Sequence, residues 1–211
     1  MPYDIKWIFF DIGSTLVDET KAYQHRIEDA ISGTDITYQE FYDRMIGYYR
    51  KNLKGDKETI KYYGLKHTKW HKEDEVLFPE TKSCLKSLSK KYNLGVIANQ
   101  SLGLKERLEN WGILKHFDVV VSSAEEGISK PDSEIFRRAL LRAECVPNEA
   151  IMVGDRLDND IIPANKIGMK TVWIKQGFGK YQVPVIQQEK ANYSISNLNE
   201  LCRILEVQKG E

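Results

Sequence analysis

The stretch at residues 7–16, WIFFDIGSTL, constrains this chain more than any other. Trp7, Ile8, Phe9 and Phe10 run without a polar break and stop at Asp11. A short apolar run bounded by turn residues predicts a strand buried on both faces. Gly13, Ser14 and Thr15 turn the chain directly after it. A carboxylate therefore stands at the carboxyl end of a buried strand, the edge of an open α/β sheet where ligands bind.

The rest of the chain divides into two patterns. Residues 23–32 carry helical spacing closed by Gly33, and Thr37-Tyr38-Gln39-Glu40 is a capping box. Phe41, Met45 and Tyr49 then repeat at four-residue intervals on one helical face. Residues 57–63 and 68–77 are expected as further short helices, with no strand between about residues 18 and 78. From Phe78 onward the elements alternate. Helices are expected over 78–91, 104–111, 133–144, 159–167 and 198–205, and strands over 94–98, 117–122, 150–154, 171–174 and 193–195. Alternating strands and helices predict βαβ units and a parallel sheet. The expected fold is thus α/β, a Rossmann-like parallel sheet flanked by helices, with a small all-helical insertion.

Lys+Arg and Asp+Glu both number 31, so net charge is zero and nothing in the charge calls for nucleic acid or an anionic membrane. Cys84, Cys145 and Cys202 are far apart in sequence and odd in number, which disfavours a disulfide framework or a zinc site. They read as buried hydrophobes. The first apolar run is short and lacks a basic leader, and no stretch is long enough to span a bilayer. The expectation is a cytoplasmic protein, monomeric or homodimeric.

Four stretches fall at expected strand ends or in the loops after them: Asp11 with Gly13 and Thr15, residues 98–101, Lys130-Pro131, and Gly154-Asp155 with Asp158 and Asp160. Carboxylates and a lysine converging on one sheet edge suit a divalent metal and a phosphate, since Mg²⁺ takes carboxylates, carbonyls, water and phosphate oxygen. Asp158 reads as a helix N-cap. Asp18 and Glu19 read either as groups near a hinge or as solvated loop charge. His67 and His71, four apart, suit a solvated helix face better than a metal. Tyr48, Tyr49, Arg50 and Trp70 read as the core of the helical block or as a pocket lining.

In these residues the chain resembles the haloacid dehalogenase superfamily of hydrolases. The family's D-x-D-G-T-L appears as Asp11-Ile12-Gly13-Ser14-Thr15-Leu16, and its second motif as Gly95-Val96-Ile97-Ala98-Asn99. Its Lys-Pro pair is Lys130-Pro131, and its G-D-x-x-x-x-D is Gly154-Asp155 through Asp160. The resemblance implies a core of residues 1–17 and 79–211 and a helical cap of residues 18–78. It implies a Mg²⁺-dependent phosphatase acting on a small phosphorylated substrate. Asp11 would be the nucleophile that forms an aspartyl-phosphate. Mg²⁺ would sit on Asp11, the Gly13 carbonyl and Asp155, with Asp160 in support. Phosphate would be bound by Ile12, Gly13, Thr15, Asn99 and Lys130.

Two positions depart from the family. Its second motif-one Asp, the acid–base group, is Gly13 here; that function is worth ~10²–10⁴-fold in rate, or about 3–5 kcal/mol. Its phosphate-binding hydroxyl is Ala98, a loss of ~1–3 kcal/mol, with Ser101 or Asn99 as candidate replacements. These departures leave room for a phosphate-binding protein without turnover. They also leave room for phosphonate or haloacid chemistry on the same scaffold, although the intact Gly154–Asp160 motif favours a metal.

Overall fold

In a computed structural model, which describes residues 4–205, the first apolar run is strand β1 (Trp7–Phe10). Residues 1–3 and 206–211 of the expected core lie outside the described residues. A six-stranded sheet forms from β1, β4 (Asn93–Ala98), β5 (Val119–Ser122), β6 (Ala150–Gly154), β7 (Lys170–Ile174) and β8 (Tyr193–Ile195). Its order is β5-β4-β1-β6-β7-β8, and every neighbouring pair is parallel.

Alternation along β1 explains why the run is apolar throughout. Ile8 and Phe10 enter one core cluster with Val96 and Val153, while Trp7 and Phe9 enter the opposite one with Ile97 and Met152. Both faces are covered by helices, so neither parity is free to be polar. Helices α4 (Thr81–Leu88) and α9 (Leu198–Ile204) cover the first face, and α7 (Ser133–Arg142) covers the second. Helix α5 (Leu104–Asn110) and the short α6 (Ser123–Glu126) follow β4 and β5.

The chain leaves β1 toward β4 and β5, then crosses to β6 on the other side and continues outward. The topological switch therefore falls between β1 and β6, the crevice that binds ligands in open α/β sheets. Asp11 and Asp155 follow these two strands directly.

Helices α1 (Thr20–Ile31), α2 (Tyr38–Tyr49) and α3 (Gly55–Tyr63) build a separate cluster. Phe41, Met45 and Tyr49 are buried in it, and the Thr37–Glu40 capping box forms. Phe178, from the loop after β7, joins the same cluster and stacks on Tyr49 with ring centroids 5.4 Å apart.

Residues 68–77 do not form the expected helix. They hold one 3₁₀ turn (Lys72–Asp74) and strand β3 (Val76–Leu77), antiparallel to β2 (Val17–Asp18). Side-chain partners hold this segment in place of helical bonds: Trp70 Nε1 donates to Glu75 at 2.7 Å and His71 Nε2 pairs with Asp29 at 2.7 Å. Without a helix, His67 and His71 share no helical face. His71 instead stacks on His25, with ring centroids 3.5 Å apart.

The expected helix over 159–167 is split into a π-helical turn (Leu157–Ile161) and α8 (Ile162–Lys166). Asp158 is not its N-cap; its carboxylate accepts from the Arg156 guanidinium and from Gln182 Nε2. Cys84 and Cys202, remote in sequence, meet where α4 packs on α9, with Sγ atoms 3.4 Å apart as thiols. Cys145 is only partly buried. Among the described residues no helix is long and apolar enough to cross a membrane.

Candidate active site

A polar cleft opens over the carboxyl ends of β1 and β6. Asp11 lies just past β1, where its amide still donates to the Val153 carbonyl at 2.9 Å. The Lys130 ammonium donates to Asp11 Oδ1 and to Asp160 Oδ1, each at 2.6 Å. Lys130 is 3% exposed. Burial opposes its charge, but the carboxylates of Asp11 and Asp160 outweigh that cost and raise its pKa above the ordinary lysine value.

Asn99 fixes the lysine from its backbone. Its amide donates to the Lys130 carbonyl at 2.9 Å and accepts from the Lys130 amide at 2.8 Å. Asn99 also lines the cleft, so its amide serves first to position Lys130.

Carboxylate oxygens of Asp11, Asp155 and Asp160 lie within 4.8 Å of one another. Gly154 makes this possible, because the Asp160 carboxyl folds back into the space that a Cβ at 154 would occupy. The Arg156 amide donates to Asp160 Oδ2 at 3.0 Å, and Trp173 Nε1 holds the Asp155 carbonyl at 2.8 Å. Gly179 is needed in the same way, since a Cβ there would overlap the Asp155 carbonyl.

Burial and the neighbouring charges of Asp160 and Asp11 push the Asp155 carboxyl well above its usual pKa. Asp160 is pushed up to about 6, with burial as the main cause and Lys130 as the main opposing charge. Among the described residues no cation lies within ion-pair distance of Asp155. One lysine against three converging carboxylates leaves excess negative charge in a cramped, oxygen-only setting. That donor set fits a hard divalent cation.

The motif-one turn departs from expectation in detail. The Ile12 side chain sits in the core below, and its carbonyl accepts from the amides of Thr15, Leu16 and Val17. Ser14, at φ +54°, faces the cleft, while Thr15 is fully buried away from it with its hydroxyl unpartnered. Thr15 thus does not line the cleft where a phosphate contact was expected of it, and within the turn only its amide is bonded, to the Ile12 carbonyl at 3.3 Å. Ala98 is fully buried. Ser101 does not replace the missing hydroxyl, because it faces outward and accepts from Lys72 Nζ at 2.6 Å.

Tyr49, read from sequence as core of the helical block or as pocket lining, is both, while other cleft residues carried no clear signal in the sequence: Tyr23 from the helical block, Arg156 and Asn159 after β6, and Phe178. The Arg156 guanidinium lies over the Tyr49 ring, 5.0 Å from its centroid. Glu19 also lines the cleft. Ser14 Oγ donates to its Oε2 at 2.9 Å. Burial, opposed by that hydrogen bond and reinforced by Asp11, pushes the Glu19 carboxyl up to about 8. One signal for Glu19 was present in the sequence: a glycine at position 13, with a carboxylate six residues on.

Comparison with known proteins agrees with this geometry. Residues 8–174 match the family model described as haloacid dehalogenase-like hydrolase. The glyceraldehyde 3-phosphate phosphatase of Pyrococcus furiosus is 31% identical, over 98% of this chain and 95% of its own length. A haloacid dehalogenase phosphatase from Thermococcus onnurineus superposes with a TM-score of 0.65 at 25% identity, covering 98% of this chain and all of that one. The magnesium-bound hydrolase YfnB of Bacillus subtilis shares the fold with a TM-score of 0.72 at 19% identity, over 96% of this chain and 99% of its own. With its motif residues gathered at one switch-point cleft, and with the family match and the full-length relatives in agreement, the chain belongs to the haloacid dehalogenase-like hydrolases.

Proposed function

We propose that this protein is a Mg²⁺-dependent phosphatase of small phosphorylated metabolites that works through an aspartyl-phosphate on Asp11. The observation that carries the reading is the Lys130 ammonium held between Asp11 and Asp160, beside Asp155. The name of the Pyrococcus relative supports the substrate class. The magnesium in the YfnB structure agrees with the metal.

Asp11, the Gly13 carbonyl and Asp155 would hold the ion, with Asp160 behind them. Bound there, Mg²⁺ supplies positive charge against the phosphoryl oxygens and the developing anion. Lys130 holds the Asp11 carboxylate by an ion pair and adds a fixed positive charge where the transferring group gathers negative charge. The Asp11 carboxylate attacks phosphorus, the alcohol leaves, and water then cleaves the acyl phosphate. Residues 18–78 would serve as a cap over the core, from which Tyr23 and Tyr49 reach the cleft and line it together with Phe178.

Release of phosphate from a panel of aryl, acyl and alkyl monophosphates tests this directly. Release should require Mg²⁺, stop with a chelator, and return when the ion is restored. Gly13 and Ala98 favour one other reading, a phosphate-binding protein without turnover. Binding of Mg²⁺ and phosphate without hydrolysis of any member of the panel would establish that reading instead.

A further inference from the structure

A phosphate ester needs a proton for its departing alkoxide, and the glycine at position 13 offers none. The space beside Gly13 is not empty. A Cβ built on Gly13 would stand 2.7 Å from both Cδ and Oε2 of Glu19, and closer still to Oε1. The Glu19 carboxyl thus occupies the volume into which a side chain at position 13 would project. It reaches there from the other end of the motif-one loop, five residues along from Ser14.

The local structure explains how. Asp18, not Glu19, meets the start of helix α1, accepting from the Thr20 amide at 2.8 Å. Glu19 forms no capping bond and its side chain folds back across the turn. There Ser14 Oγ fixes Oε2, while Ser14 itself fills the space beside Gly177, where a Cβ would overlap it. Glu19 lines the cleft together with Asp11, and among the described residues it makes no ion pair.

We propose that Glu19 is the acid–base residue of this site, standing on the leaving-group side in the place vacated at Gly13. This inference rests on the phosphatase reading above. In the first half-reaction an Asp11 oxygen bonds to phosphorus and the ester P–O bond breaks. Its electron pair goes to the leaving oxygen, which takes the proton of the Glu19 carboxyl. In the second, a water oxygen bonds to phosphorus and gives a proton back to the Glu19 carboxylate. The P–O bond to Asp11 breaks, and its electron pair restores the Asp11 carboxylate. The other protonatable groups facing the cleft fit less well. The phenols of Tyr23 and Tyr49 are weak acids, and Lys130 is held by two carboxylates.

Glu19→Gln, close in shape to the native residue, tests the role with 4-nitrophenyl phosphate and glycerol phosphate in parallel. Alkyl ester turnover should fall on the order of 10²–10⁴-fold, because its leaving group needs the proton. The aryl ester should still phosphorylate Asp11, giving a burst of one nitrophenol per site followed by slow release as water attack lags. Equal losses on both esters without a burst, or no loss on either, would overturn the role. Asp11→Asn separates this from the parent reading: turnover surviving in that variant would remove the phosphatase mechanism itself. A second pair of variants guards against a folding defect. Gly13→Asp combined with Glu19→Ala moves the carboxyl back to position 13, and should regain at least about tenfold over Glu19→Ala on glycerol phosphate. No gain, with both proteins folded, would contradict the proposal.

Discussion

Asp11→Asn should abolish phosphate release from every ester the native protein hydrolyses, a loss on the order of 10⁴-fold or more. The amide keeps the shape of the carboxylate but lacks its charge and nucleophilic oxygen. Lys130 still has Asp160 as partner, so the fold should survive. Circular dichroism and thermal melting should therefore stay near native while turnover disappears. A protein that melts early would point to Asp11 as a structural ion-pair partner; one that stays active would remove it as the nucleophile.

Lys130→Met is the second large effect, and it acts on stability as well as rate. The ammonium is buried and lies 2.6 Å from two carboxylates. Removing one partner of a buried charge cluster leaves the others uncompensated, at a cost of about 3–5 kcal/mol. The pH dependence has a definite sign. In the native protein the folded-state pKa of Asp160 is already raised to about 6. A raised carboxyl binds more protons folded than unfolded, so the contribution of Asp160 to the stability of the metal-free protein falls as pH rises through roughly 4 to 6. Without Lys130 the carboxylates repel more strongly, so the variant's deficit should deepen as pH rises and shrink in acid. A divalent cation binds the folded state alone and should restore stability by mass action, more in the variant than in the native protein. Urea titrations of both proteins, at pH 5 and pH 8 with and without Mg²⁺, measure this. An equal response of the two to Mg²⁺ would place the ion elsewhere.

The parts of this molecule legible in the sequence are those written in short-range patterns. The apolar run 7–10 could only be a buried strand, and Thr37 with Glu40 announced helix α2. The strand at Ala150–Gly154, ending on Asp155, was marked by its apolar run and the turn after it. Residues 68–77 misled because their polar side chains satisfy the chain through Asp29, Glu75 and strand β2, none of which local spacing reveals. Asp158 misled for a related reason: its partner Gln182 lies 24 residues away, in a loop. The cleft contributions of Tyr49 and Phe178 depend on how the helical block lies against the sheet, which is set by side-chain packing rather than period. Glu19 is the instructive case. Its residue type suited a group near a hinge or solvated loop charge, and only the folded turn shows its carboxyl filling the side-chain volume that Gly13 leaves free.

Rapid acid quench of the native protein during turnover of 4-nitrophenyl phosphate, followed by peptide mass analysis, tests the central claim most directly. The account predicts one phosphoryl group on the peptide containing Asp11, attached to that carboxylate and released by mild base. Turnover with no phosphoryl group on Asp11, or with the group carried by Ser14 or another residue, would contradict it.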